Sequence, residues 1–344
     1  MKQLTIKAPD DMHLHVRDGA ALSTSIGHSA RQFSRAIIMP NLVPPITTVS
    51  QALAYQQRIL AAVPSGVMFQ PLMALYLTSE TSKEDIRKAA DTPEMIGFKL
   101  YPAGATTHSE AGISSLESIY PLLEAMQTHD VPLLCHGEVT AIETDVFDRE
   151  RLFIDTELQP IRERFPELRI VLEHITTSEA VDFIKQHTHN TAATITVHHL
   201  LYNRNALFTG GIRPHYYCLP LLKRKQHQDA LIAAAISGDP RFFLGTDSAP
   251  HPRHRKESAC GCAGCYTAHA AIELYAKVFE DHHALDKLEN FASKFGAGFY
   301  RLPENTGSIH LIRQAWQCPT EYEFAGDTLI PVGAGEPINW KLVR

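Results

Sequence analysis

Two histidines stand two residues apart in Asp10-Asp11-Met12-His13-Leu14-His15-Val16-Arg17-Asp18-Gly19, inside a short apolar run. On a β-strand, residues i and i+2 face the same way. The spacing predicts that His13, His15 and Arg17 project together, while Met12, Leu14 and Val16 pack on the other face. Two imidazoles and a guanidinium make a poor core, but a good metal site with an anion clamp beside it. A lone His-x-His pair is common by chance, so the reading depends on further ligands at matching positions.

Further candidates lie far along the chain: Lys99, His136, His174 and Asp247. Each follows or ends a short apolar run. The runs are Met12–Val16, Ala36–Met39, Val67–Tyr76, Met95–Leu100, Val131–Cys135, Ile170–Leu172, Ala193–Val197 and Phe242–Leu244. Helical patterns separate them, among them 50–63 with Ser50 as N-cap, 115–128, 148–165 and 178–186. Eight strands alternating with helices over about 250 residues predict an α/β fold, a (β/α)₈ barrel, rather than an open doubly wound sheet. We read residues 1–344 as one domain, with the barrel at about 9–300 and a C-terminal helical extension at 301–344. Helices near 267–280 and 288–300 precede a tail rich in Pro and Gly. Active sites of such barrels form at the C-terminal ends of the strands, where all six candidates fall.

Four histidines and one aspartate suit Zn²⁺ or a similar divalent metal. The set is too large for one catalytic zinc with an open position, and it suits two metals about 3.5–4 Å apart. Lys99 lies between Phe98 and Leu100. Burial disfavours the ammonium form, and a neutral amine can react with CO₂ to give an anionic carbamate whose two oxygens could each ligate one metal. The alternative is a lysine that snorkels to the barrel mouth.

Composition bounds the partners. A net charge of −6 with no long basic block argues against a general nucleic-acid binder. The first residues lack the apolar core of a signal peptide, and no apolar run reaches the roughly 18 residues of a membrane span. The expectation is a cytoplasmic protein with reduced thiols.

The stretches Asp11–Gly19, Met39-Pro40-Asn41-Leu42, Lys99-Leu100-Tyr101-Pro102, Cys135-His136-Gly137-Glu138, Glu173–Thr177 and Gly245–His251 resemble the dihydroorotase family, in its shorter bacterial type within the amidohydrolase superfamily. The match runs in order from about residue 9 to 300. The resemblance implies a binuclear zinc site. In it His13, His15 and Asp247 hold one zinc and His136 and His174 the other, bridged by carbamylated Lys99 (N6-carboxylysine) and a hydroxide. It implies reversible cyclisation of N-carbamoyl-L-aspartate to L-dihydroorotate in pyrimidine synthesis, with Asp247 as base and then acid, and a homodimer. It assigns substrate contacts to Leu14, His15, Arg17, Asn41, His136, Leu219, His251 and Ala263, those of Leu219 and Ala263 through the backbone. Thr106 and Thr107 resemble the family's mobile lid; a plain flexible loop is the alternative. Another cyclic amidohydrolase, such as a hydantoinase, is the rival activity. An inactive scaffold would be free to lose ligands, and none of those expected is lost.

Some residues leave alternatives open. Arg17 could instead pair with Asp18, and Asn41 could merely end its strand. Cys260, Cys262 and Cys265 suggest either a third zinc lacking an evident fourth ligand, with His254 as one candidate, or a compact loop beside the substrate. His198 and His199 end the seventh strand and read as supporting or structural residues.

Overall fold

The computed structural model describes residues 2–259 and 261–343. Eight parallel strands follow one another around the sheet in chain order: β2 (Asp10–Leu14), β3 (Arg35–Ile38), β4 (Gln70–Tyr76), β5 (Met95–Leu100), β6 (Leu133–His136), β7 (Ile170–Glu173), β8 (Thr191–Ile195) and β9 (Phe242–Leu244). They are preceded by β1 (Gln3–Lys7). Nearly every barrel-strand residue is buried, as expected where helices cover one face and side chains fill the other. Met12, Ile37, Leu72, Leu134, Val171 and Phe243 pack inside the barrel. A larger outer layer joins Leu14, Ile38, Phe98 and Leu172 to the helices. The helices close to prediction include Ser178–Gln186, and Val49–Ala62, which is capped by Thr48 through a capping box with Gln51 rather than by Ser50.

Two expectations are corrected. Met12 and Leu14 do not share a face: Met12 lies in the interior and Leu14 in the outer layer. The register of β2 on β3 shifts between Asp11 and Leu14, and such an irregularity breaks strict alternation. The extension is also not helical. Helices are found at Ala271–Asp281 and Phe295–Phe299. Beyond them lie β10 (Ser308–Gln317), β11 (Tyr322–Phe324), β12 (Asp327–Leu329) and β13 (Pro337–Val343). The sheet order β1-β10-β13 ties the two ends of the chain together. Ile338, Trp340 and Leu342 alternate inward, the period-two signature of a half-buried strand. Among the described residues, no helix is long and apolar enough to cross a membrane.

The barrel closes where β2 meets the segment after β9. Asp11 accepts hydrogen bonds from Thr246 N (2.8 Å), Thr246 Oγ1 (2.6 Å) and His13 N (3.2 Å). Asp247 N donates to His13 O (2.9 Å), and His15 N to Ser248 O (3.2 Å). Gly245 permits this approach, since a Cβ there would lie 2.8 Å from Thr194 Cβ and 3.0 Å from His13 Cβ.

Burial pushes the Asp11 carboxyl up to about 7, against the pull of its Thr246 hydrogen bonds. With the folded value above the unfolded 3.8, Asp11 stabilises the fold most at low pH, and that contribution is lost as pH rises to about 7. Urea unfolding of the metal-free protein should show this fall in wild type, and Asp11→Asn should remove it. Parallel stability–pH profiles for the two proteins would refute the assignment.

Candidate functional site

The closure puts three donor atoms side by side. Asp247 Oδ1 lies 3.1 Å from His15 Nε2 and 3.4 Å from His13 Nε2, and the two imidazole nitrogens are 3.3 Å apart. A tetrahedral metal with bonds of about 2.0–2.1 Å has donor–donor edges of about 3.3–3.4 Å. The triad therefore has the spacing of three ligands to one divalent cation of zinc's size.

His174 stands at the end of β7, its ring 5.0 Å from that of His13 and 4.8 Å from that of His136, at the end of β6. Lys99 on β5 is fully buried and pairs with Glu173. All six predicted ligands thus meet at one rim, none more than 7% exposed. Among the described residues, buried His174 Nδ1, Glu173 Oε1 and Glu138 Oε1 find no hydrogen-bond partner, which marks a polar pocket left unsatisfied by the protein itself. Three residues here, Arg17, His174 and Asp247, have positive φ (62°, 43° and 45°). Such backbone costs about 1–3 kcal/mol per residue and collects at functional sites.

The ligand rings are oriented from behind. His15 Nδ1 bonds Asn41 Oδ1 at 2.8 Å, which leaves Nε2 free to face Asp247. The Asn41 amide thus fixes the His15 tautomer and raises its basicity. His13 Nδ1 lies 2.9 Å from Glu173 Oε2, a close pair outside hydrogen-bond geometry. His136 Nε2 pairs with Glu138 at 2.9 Å. Burial would raise Asp247, but its contacts with the imidazoles of His15, His13 and His174 hold it well below the usual carboxylate range. Burial lowers His15 to about 4 and holds His174 well below the ordinary imidazole range, so both are neutral donors at physiological pH.

Arg17 does not pair with Asp18, whose carboxylate is taken by Arg58 at 2.7 Å. Its Nε donates to Pro250 O (2.9 Å), and Nη2 meets His251 Nε2 at 2.9 Å. Burial and the nearby Arg17 charge push His251 down, leaving a neutral acceptor. Arg17, Asn41, Thr106, Thr107, Leu219 and Ala263 line the mouth cavity with His13, His15, His136, His174 and Asp247, whereas Lys99 and His251 do not reach its lining. Asn41 Nδ2 donates to Thr107 O (3.3 Å), and Thr107 Oγ1 to Ala263 O (3.4 Å). The Leu14 side chain packs in the outer layer and does not line the cavity.

Sequence reasoning gave no role to Glu173, Glu138 or Asp11. The available signal was a carboxylate next to a ligand candidate at an apolar strand end. His198 and His199 do not end a strand: they sit in a short helix, Val197–Leu201, capped by Thr196. Cys260 lies outside the described residues. His254 pairs with Asp327 at the surface and, among the described residues, is not grouped with any cysteine.

A model of the amidohydrolase family matches residues 10–327. A dihydroorotase of Idiomarina loihiensis is 59% identical over 342 residues, 99% of each chain. The crystal structure of a dihydroorotase from Campylobacter jejuni superposes with a TM-score of 0.91 at 36% identity, covering 99% of this chain and 98% of that one. A dihydroorotase from Saccharomyces cerevisiae, in complex with 5-fluoroorotic acid, gives 0.91 at 32% identity, with coverage of 100% and 99%.

If Glu173 orients His13, Glu173→Gln should weaken metal affinity by about 10–100-fold. Competition against a chromophoric chelator measures this, and unchanged affinity would remove Glu173 from the role.

Proposed function

Because the chain belongs to the amidohydrolase family, and within it to the dihydroorotases, we propose that it interconverts N-carbamoyl-L-aspartate and L-dihydroorotate using two zinc ions at the barrel mouth. The observation that carries this reading is the tetrahedral spacing of His13, His15 and Asp247 beside a fixed arginine. His13, His15 and Asp247 would hold one ion, and His136 and His174 the other. Carbamylated Lys99 would lie between them, exchanging its ion pair with Glu173 for metal ligation. When bound, such a pair supplies an activated water at neutral pH and polarises the ring carbonyl.

The side chains then have distinct tasks. Asp247, beside His13 and His15 at the barrel mouth, would accept a proton from the attacking water. As the water oxygen bonds to the ring carbonyl carbon and the C–N bond breaks, Asp247 returns that proton to the leaving nitrogen. Ring closure runs the same steps backwards. Arg17, fixed by Pro250 and His251, pairs with the substrate carboxylate. Asn41, Thr106, Thr107 and the backbones of Leu219 and Ala263 would complete the pocket, with His251 acting from behind through Arg17; closure of the Thr106–Thr107 loop would exclude water.

The purified chain should hydrolyse dihydroorotate far faster than a hydantoin, and the reverse order would assign it to the hydantoinases. Asp247→Asn should lower kcat by about 10²–10⁴-fold, measured beside metal content on the same sample. Arg17→Ala should raise KM roughly 10–100-fold, the worth of a charged hydrogen bond. An unchanged KM would take Arg17 out of the pocket.

A further inference from the structure

A second group of metal-ligating side chains lies outside the mouth. Cys218 directly precedes Leu219, and Cys265 directly follows Gly264; Leu219 and Gly264 line the mouth cavity, while neither cysteine does. Donor atoms of Cys218, Cys265 and His198 all lie within 4.8 Å of one another, and all three residues are buried. None belongs to the ligand set described above.

His198 is the informative member. It is 1% exposed, and among the described residues neither of its ring nitrogens has a hydrogen-bond partner. A buried unpaired polar group is costly and rare in native proteins. Its neighbour His199 shows the ordinary solution, with Nδ1 on Thr196 Oγ1 (2.7 Å) and Nε2 on Pro220 O (3.1 Å). Lys256, also buried, organises the segments that carry the two thiols. Its Nζ donates at 2.8 Å to the carbonyls of Tyr217, Cys262 and Gly264. The contact with Cys265 and burial push the Cys218 thiol well up, and the Lys256 charge works against them; it is a bound cation that would hold the thiolates. Two thiolates also neutralise a divalent cation, so the filled centre would not repel Lys256.

We propose that His198, Cys218 and Cys265 form a third metal site, for a thiophilic divalent cation such as Zn²⁺. Two sulfurs and one imidazole match the preference of a borderline-soft ion, and three protein ligands leave one position for water. Each thiol releases its proton to solvent as its metal–sulfur bond forms. The ion ties the helix after β8 to the two segments that present Leu219 and Ala263. It would therefore hold the floor of the substrate pocket rather than take part in the reaction. The site was not legible in the cysteine run: Cys218 and His198 come from elsewhere in the chain, and Cys262 is not in the group.

Cobalt reconstitution of the full chain tests this. The mouth ligands are nitrogen and oxygen donors, so only the third site can give a thiolate-to-cobalt charge-transfer band in the near ultraviolet. Saturating Co²⁺ should load three ions per chain with that band. Cys218→Ser and Cys265→Ser should each abolish the band and leave two ions, while Cys262→Ser should keep both. His198→Ala spares the thiols and should weaken the third ion at least tenfold, with folding checked by circular dichroism. Two ions and no band in wild type, a Cys218–Cys265 disulfide in its place, or a band that survives both cysteine variants would overturn the proposal. The site is independent of the proposed reaction: a band without dihydroorotate turnover sinks the activity alone, and turnover with two ions and no band sinks the third site alone.

Discussion

The structure depends on one closure, the Asp11 carboxylate bound to Thr246 across 235 residues of chain. A parallel barrel must join its first strand to its last, and nothing in local sequence enforces that meeting. Here a buried carboxylate accepts from a backbone amide and a hydroxyl of the opposite segment. The backbone bonds from Asp247 N to His13 O and from His15 N to Ser248 O then set the register. That register decides which side chains stand at the rim. His13, His15 and Asp247 come within 3.1–3.4 Å of one another because their backbones are hydrogen-bonded neighbours.

Around this seam the protein arranges charge in layers. The ligating nitrogens of His13 and His15 face inward, while their other nitrogens meet Glu173 and Asn41. The rim concentrates imidazoles, Lys99, Arg17 and carboxylates in a buried space, which is unfavourable unless each is paired or bound to an ion. Positive φ at Arg17, His174 and Asp247 adds backbone strain at the same place. The apolar layers beneath offset these costs: Met12, Leu134, Val171 and Phe243 fill the barrel directly below.

Much of this was legible from residue types. Apolar runs ending in His, Lys or Asp marked both the strands and the rim, since a polar residue at the C-terminal end of a buried strand has nowhere else to point. The failures have physical causes. Period-two reading assumes a regular pleat, and the irregularity in β2 sends Met12 inward and Leu14 outward. The strands of the tail were hidden because their partner β1 lies about 300 residues away, from Gln3 opposite Ile312 to Lys7 opposite Ser308. Pro and Gly in the tail punctuate turns there; Ala325 and Gly326, both at positive φ, join β11 to β12. Glu173 went unassigned because spacing identifies ligands, whereas their orienting partners are set by tertiary contact.

The seam also positions recognition. Arg17 lies two residues past His15, and His251 four past Asp247, and their side chains meet at 2.9 Å. Arg17 reaches across to Pro250 O and His251 Nε2, repeating on the rim the pairing that Asp11 and Thr246 make below it. A slip of one residue between the two segments would turn Asp247 from the histidines and part Arg17 from His251 together. The proposed metal ligation and carboxylate binding are therefore not separate features placed on a barrel. Both are consequences of one register, which explains why a costly buried carboxylate is kept at the point that fixes it.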